Sequence, residues 1–512
     1  MTSETIAKNA FYNVLAFSVN FIVTFLLVPI MLGALGPIGF GVWAIVRVFV
    51  NYASLGDFGL NSTVTKYVAE YHASNDRHAI VRVVQCAFVL YLAIGIILIS
   101  LAFLFEPLIV ATFFASSGEF AGVVSYVLIG SLLIFGTNLA FSVFSSALVG
   151  IQRMDITNGV LAFFSLINGG LMIGALAMGY GLKGLVWANG LATCYAIILN
   201  GYFYFKLLGN GILRTWTPNR QNVLRLFRYS RHIFVGAVAH TFHMHFDKLL
   251  LSSFLSLSLV SSYEVASRVI IQARQIPVLM LQPLLPAASD FEARQATENL
   301  RSLYLRSMKY VFVLAVPVLG FLGAFAEPFT IVWLGVRDHH IILTLQILVF
   351  ANFVNLMTGP GYFISLGIGR PDYSMYSAVV GLVIHVVLSV VLVQILGYYG
   401  AVMGSFVALI AGAWVFLHLI QRHMAVKLRE VLSHLWTPIG SLAIASALAL
   451  GGGALIAQPL PKFAVMAVLG LGIYVTGIVL LKYFDEHDVG LMRRLWASLR
   501  PSWFEAPRET HF

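Results

Sequence analysis

Fourteen stretches of mostly apolar residues run along this chain, each about 20 or more residues long and parted from the next by a short polar link. They fall at 10–35, 38–60, 83–105, 121–149, 158–178, 184–206, 232–256, 260–286, 308–334, 341–367, 374–396, 400–420, 436–457 and 461–482. In the core of a bilayer no water satisfies backbone N–H and C=O groups, so a crossing segment must bond within itself, as a helix does. Composition agrees: 59% of the residues are hydrophobic and 10% charged, against about 25% charged in soluble domains. The sequence therefore predicts an all-α polytopic membrane protein. Cys86 and Cys194 both sit in apolar runs and suggest neither a disulfide framework nor a metal site. The first stretch has no small-residue cleavage site behind a short apolar core, so it reads as a retained helix and not as a signal peptide.

The net charge of +10 has a topological reading. With the N-terminus in the cytoplasm, the fourteen spans leave Lys183, Arg337 and Lys462 in outer loops. Arg47, Lys248, Arg268 and Arg274 lie inside spans, and the other lysines and arginines fall in cytoplasmic segments. This is the positive-inside pattern, and a missed or invented span would scramble it. It predicts both termini in the cytoplasm. The outer loops are short and leave no room for a folded external domain. The long inner link, 207–231, sets Val223, Leu224 and Phe227 against Arg220, Arg225, Arg228 and Arg231. That is the pattern of an amphipathic helix on an anionic leaflet, with a plain solvated linker as the alternative.

The chain also repeats. "GIQRMD" at 150–155 returns as "GIGRPD" at 367–372, "FEPLIV" at 105–110 as "AEPFTIV" at 326–332, and "GYGLKGLVWA" at 179–188 as "GYYGAVMGSF" at 397–406. The spacing is steady: Glu106 and Glu327 stand 221 residues apart, and so do Arg47 and Arg268. Six spans per half give two lobes that enter the membrane in the same direction, related by a pseudo-two-fold along its normal, a transporter plan. The expected organisation is an N-terminal lobe at 1–206, a basic linker at 207–231, a C-terminal lobe at 232–420, two further helices within 436–482 and a cytoplasmic tail at 483–512. In such a plan substrate binds between the lobes, which rock to give alternating access.

Several runs resemble a known family. "LLVPIMLGALGPIGFGVWA" at 26–44 and "LGDFGLNSTVTKYVAEY" at 55–71 resemble the opening helices of the oligosaccharide flippases, the O-antigen and polysaccharide biosynthesis exporters. "FDKLLLSSFLSLSLVSSYEVASRV" at 246–269 looks like that family's Asp-basic-Leu-Leu-Leu run and its Tyr-x-x-Ala-x-Arg element, and "QPLLPAASD" at 282–290 like its Pro-x-x-Ser helix end. The likeness covers about residues 10–420 in matching order. Ser261 and Ser262 stand where the family usually has a Gly before the Tyr, and the histidines near 240 are not a general family feature. The resemblance implies the multidrug/oligosaccharidyl-lipid/polysaccharide exporter superfamily. It implies a bacterial inner-membrane flippase for polyprenyl-pyrophosphate-linked saccharides, serving lipopolysaccharide or other surface polysaccharide, with a polymerase and a chain-length regulator as expected partners.

The ionisable residues inside spans carry the site expectations, because a charge there normally faces a cavity or a partner. At about 1.5 Å rise per residue, Arg47 and Arg268 lie about 12–13 Å below the outer surface, with Lys248 and Asp247 at a similar level. The expectation is that Arg47, Lys248 and Arg268 line an aqueous cavity and hold the pyrophosphate, since guanidinium pairs phosphate oxygens bidentately. Arg274, deeper on the same helix as Arg268, is a relay candidate. The alternative is that Arg47 or Arg268 pairs with Asp57, Asp247 or Glu264 and only staples helices. His240, His243 and Asp247 share one helical stripe and are candidates for proton coupling, against an alternative of hydrogen bonding inside the second lobe. A metal site is disfavoured, since one helix supplies too few ligands. No P-loop occurs, so secondary transport is expected, with no cofactor, no nucleic-acid partner and no enzymatic step. Asn13, Ser18 and Asn20 are polar residues of the first span, fit for sugar hydroxyls or for helix packing. Rival readings are a multidrug exporter of the same superfamily, which needs an acidic and aromatic cavity, and a membrane-embedded polysaccharide polymerase or transferase, which needs a larger outer loop.

Overall fold

The computed structural model describes residues 3–209, 238–239 and 241–490, so most of the 207–231 linker and of the 483–512 tail lies outside the described residues. The first helix, α1 (Ser3–Ala53), is followed by α2 (Leu60–Ala73), α3 (Arg77–Phe113), α4 (Ala121–Gly150), α5 (Met154–Ala177) and α6 (Gly181–Leu208). After the undescribed linker come α7 (241–254), α8 (Leu257–Leu279), α9 (Leu284–Ala293), α10 (Thr297–Ala324), α11 (Ala326–Leu334), α12 (His339–Leu356) and α13 (Gly359–Gly367). The last are α14 (Asp372–Leu396), α15 (Tyr398–His423), α16 (Leu428–Ser433), α17 (Trp436–Ala454) and α18 (Pro459–Leu480). Among the described residues there is no strand, and 11 helical runs are long and apolar enough to cross a membrane. Large apolar side chains stand exposed along these helices, Leu104 at 70% and Val468 at 72% among them. Water would not tolerate such a surface; lipid does. The chain is a multi-pass membrane protein.

The apolar stretches are helical over most of their described length, but helix ends follow other rules than hydropathy. The expected spans 10–35 and 38–60 meet at a kink inside α1 at Gly36, whose φ of 66° and ψ of 175° suit glycine alone ahead of Pro37, and the second ends at Ala53, where a 3-10 turn over Ser54–Asp57 begins. Helix α10 begins at Thr297 and not at 308, because the helix continues through Arg301 and Arg306 outside the apolar run. The expected span 260–286 ends early: α8 stops at Leu279, just past Pro277, and Pro283 precedes α9.

Backbone contacts divide the chain into two units. One comprises Met1–Ala273, Arg337–Asn355 and Pro371–Phe416; the other comprises Arg274–Val336, Leu356–Arg370 and Leu417–Phe512. This division does not coincide with the lobe boundaries read from the repeat, since the first unit draws helices from both halves. Its core includes Leu60, Val64 and Val68 of α2, Ile80, Val84 and Tyr91 of α3, and Val143 and Ala147 of α4, all buried.

The second unit holds an ionic knot. Lys309 of α10 is buried, and its Nζ donates to Asp488 Oδ2 and, at 3.4 Å, to Asp485 Oδ2. Tyr310 Oη donates to Asp488 Oδ1 at 2.5 Å. The two aspartates cap each other: Asp485 N–H donates to Asp488 Oδ2 at 3.0 Å and Asp488 N–H to Asp485 Oδ1 at 2.9 Å. Tyr483 Oη donates to the carbonyl of Lys309 at 3.1 Å and to that of His434 at 2.8 Å. The segment after α18 is thereby pinned to α10.

Candidate functional site

Within the first unit, α1 and α8 meet so closely that a Cβ on Gly41 would run into the carbonyl of Leu257. Ser116 Oγ accepts from the N–H of Leu257 at 3.1 Å, which fixes the start of α8 at this crossing. Arg47 lies six residues beyond Gly41 and Arg268 eleven beyond Leu257, so both advance from the same contact, about 9 Å and about 16 Å along their helices. They line one cavity of ≈ 470 Å³. The rest of its wall comes from α1, α4, α5 and α6, and it includes Asn20, Asn51, Asn138, Asn168 and Asn189. Among the described residues none of these amide side chains makes a hydrogen bond, and Asn168 Oδ1 is buried without one. The guanidinium of Arg47 likewise meets no hydrogen-bond or ion-pair partner among them. Amides and a guanidinium that face a cavity and bond nothing among the described residues are available to something that enters.

Arg268 is differently held. Its Nε and Nη2 donate to Glu264 Oε1, one helical turn back, at 3.0 Å and 2.5 Å. Glu264 Oε2 also takes Lys248 Nζ at 2.5 Å, and both of those side chains are only 8% exposed. Lys248 was expected on the same wall as the two arginines. Its ammonium is not part of the cavity wall; a buried carboxylate on the neighbouring helix claims it, because an unpaired ammonium there would be costly. Arg274, half-buried farther along α8, is not part of that wall either. Of the acids weighed as staples, Asp57 accepts from Tyr91 Oη at 2.5 Å and from Asn61 N–H at 3.2 Å, and is not the partner of Arg47.

Asp247, next to Lys248, is 3% exposed and surrounded by donors. Tyr263 Oη donates to its Oδ2 at 2.5 Å, Ser405 Oγ donates to the same oxygen, and Ser389 Oγ reaches Oδ1 at 3.4 Å. His385 Nε2 lies 2.9 Å from Oδ1, and His385 is fully buried. The ring of His243 packs edge-on against that of His385, centroids 4.8 Å apart. His240 lies outside the described residues. The His–Asp pairing is thus present, but across helices: the histidine that meets Asp247 is on α14 and was not singled out from the sequence. The signal was there in "GLVIHVVLS", one ionisable residue in an apolar run.

Comparison with known proteins agrees with this architecture. A family model described as polysaccharide biosynthesis protein matches residues 6–292, more than half of the chain. A probable flippase of Haloferax volcanii, AglR, is 22% identical over 416 residues, which are 80% of this chain and 82% of that protein. The lipid II flippase MurJ, in an inward closed conformation, matches with a TM-score of 0.68 at 12% identity, covering 94% of this chain and 99% of its own. An inward-facing multidrug resistance transporter of the MATE family, in the MOP superfamily, matches with a TM-score of 0.65 at 17% identity, covering 81% and 98%. The fold is the one these transporters share, and the chain belongs to the family of polysaccharide biosynthesis proteins.

Proposed function

We propose that this protein is a flippase: a secondary transporter that moves a polyprenyl-pyrophosphate-linked oligosaccharide from the inner to the outer leaflet of a bacterial plasma membrane, with both termini in the cytoplasm. The observation that carries the reading is Arg47, a guanidinium without a partner among the described residues, sharing a polar cavity with Arg268. An unanswered cation inside a membrane protein calls for an anion. A pyrophosphate esterified at both ends carries two negative charges, matched by two arginines, and offers oxygens in the geometry of the guanidinium fork. The five unbonded asparagines suit the hydroxyls of the attached sugar. A cationic drug would meet repulsion here, which disfavours a multidrug role.

Alternating access would come from two six-helix lobes rocking about this cavity. Coupling would reside in the buried Asp247 with His385, with His243 packed against the latter, since a hydrogen-bonded carboxylate and imidazole inside a membrane are groups a proton can pass between. Arg274 and His240 stay as candidates for relay and coupling. No bond in the substrate is made or broken in this scheme, and lipid-linked sugar, membrane lipid and the polymerisation machinery are the expected partners. The test replaces Arg47 and Arg268 by Gln, singly and together, and measures surface polysaccharide at matched protein levels. Loss of export with lipid-linked sugar accumulating on the inner leaflet is expected; unchanged export from the double variant overturns the reading.

A further inference from the structure

Glu264 serves two cations at once, and only one of them lines the cavity. We infer that Glu264 is a built-in counter-anion for Arg268, holding it while the cavity is empty and yielding it to the arriving phosphate. Lys248 keeps the carboxylate neutralised through the exchange. This rests on the phosphate reading given above and names the residues that set how tightly the anion is held.

The bonding geometry supports an exchangeable pair. Both Arg268 donors converge on one oxygen, Oε1, at 3.0 Å and 2.5 Å, so the fork does not engage two acceptors in parallel. A phosphate group offers two oxygens for that bidentate arrangement. The Arg268 side chain is 26% exposed, against 8% for Glu264, so its free edge is the accessible part of the pair.

Lys248 makes the exchange affordable. A buried carboxylate stripped of its only cation is strongly disfavoured, but Glu264 keeps Lys248 Nζ at 2.5 Å when Arg268 turns away. Glu264 is also prevented from following Arg268. One residue before each member of the Lys248–Glu264 pair, Asp247 and Tyr263 are joined at 2.5 Å, so α7 and α8 are tied at two consecutive positions.

The repeat supplies an internal contrast. Four residues before Arg268 stands Glu264; four before Arg47, at the equivalent position 221 residues earlier, stands Trp43. Lys248 likewise corresponds to Leu27. Glu264 bonds one arginine directly, while among the described residues no carboxylate bonds the other. Lys248 and Glu264 cancel each other, leaving two positive charges for the ligand. Without Glu264 the uncancelled charge of Lys248 behind the wall would add to those of the two arginines and release would slow, whereas transport needs binding weak enough to let go.

The experiment uses the full chain in nanodiscs with inorganic pyrophosphate as the probe, read by titration calorimetry, alongside export in cells. If the Glu264 pair occupies Arg268 about nine-tenths of the time, Glu264→Gln should bind pyrophosphate about tenfold more tightly, yet export less. Lys248→Met frees Glu264 to hold Arg268 harder and should bind more weakly, while Glu264→Asp should restore the wild-type pattern. A merely structural Glu264 would lose binding and export together, and that result overturns the inference. So does Glu264→Gln binding no more tightly than wild type while Arg47→Gln abolishes binding, which spares the cavity reading. Pyrophosphate binding unaffected by Arg47→Gln and Arg268→Gln would instead remove the phosphate reading itself. Should Glu264→Gln fail to fold, Lys248→Met decides alone, unchanged binding counting against the counter-anion.

Discussion

Two regions of this molecule bury cations among apolar helices, and they resolve them in opposite ways. Lys309 is met by Asp485 and Asp488, and Asp488 is itself completed by Tyr310 and a backbone N–H. Two acids meet the one buried amine, with the half-exposed Arg306 approaching Asp488 at 3.9 Å as a second cation. At the cavity, Glu264 alone answers both Lys248 and Arg268, and Arg47 has no answer among the described residues. A cation whose donors are saturated holds helices together. One left with spare donors, on a wall of unbonded amides, is held ready for a ligand. Cation placement alone does not separate the two cases; the count of acids within reach does.

The largest expected effect breaks the saturated side. Lys309→Met leaves Asp488, 1% exposed, without its main counter-charge and should cost about 3–5 kcal/mol of stability. Thermal unfolding in detergent would show it, with export per folded molecule unchanged. A variant as stable as wild type would mean the knot is ornamental.

On the unsaturated side the effects should reverse. Arg47→Gln with Arg268→Gln should lower export by about 100-fold to about 10,000-fold, two charge-assisted contacts at about 1.5–3 kcal/mol each, while thermal stability barely moves. Arg47→Gln alone should be the cleaner loss, because nothing within the described protein depends on it. If Arg47→Gln proves strongly destabilising, Arg47 is a structural residue and the contrast between the regions fails.

A smaller effect concerns coupling. Asp247→Asn and His385→Gln should each flatten the dependence of export on external pH, because the pair is an intramembrane carboxylate and imidazole in hydrogen-bond contact. Export that keeps its ordinary pH profile in both variants would return the Asp247 cluster to a packing role.

How much of this could be read from the sequence differs by level. The helices were legible because a lipid environment demands apolar runs of a set length. Their ends were not, as α10 shows: a helix can continue through charged residues once it leaves the hydrocarbon. Arg47 and Arg268 were legible as charges inside spans and as repeat equivalents. The height of Lys248 was legible too, but its pairing with Glu264 was not, because that depends on how α7 packs on α8. His385 was missed because only tertiary packing brings α14 to Asp247. Of the cavity asparagines Asn20 was visible on its own, but a wall gathered from α1, α4, α5 and α6 has no local signature.

The smallest effect sharpens the saturated side through pH. Burial alone would raise the carboxyl of Asp488, but hydrogen bonds from Lys309 and Tyr310, the N–H of Asp485 and the charge of Lys309 outweigh it and hold it at about 2. Asp485 is also held low, chiefly by the N–H of Asp488. In the unfolded chain an aspartate titrates near about 3.9. A group whose folded value is depressed contributes stability that is fully present above its unfolded value and is lost as pH falls through its folded one. The knot should therefore be intact from neutral pH down to about pH 5 and weaken between about pH 4 and about pH 2. Comparing wild type with Asp488→Asn isolates this contribution from other carboxylates. The gap in unfolding temperature between them should hold constant above about pH 5 and close on acidification. A gap that persists unchanged at about pH 2 would show that Asp488 contributes by shape and not by charge, and the acid count that separates the two regions would lose its meaning.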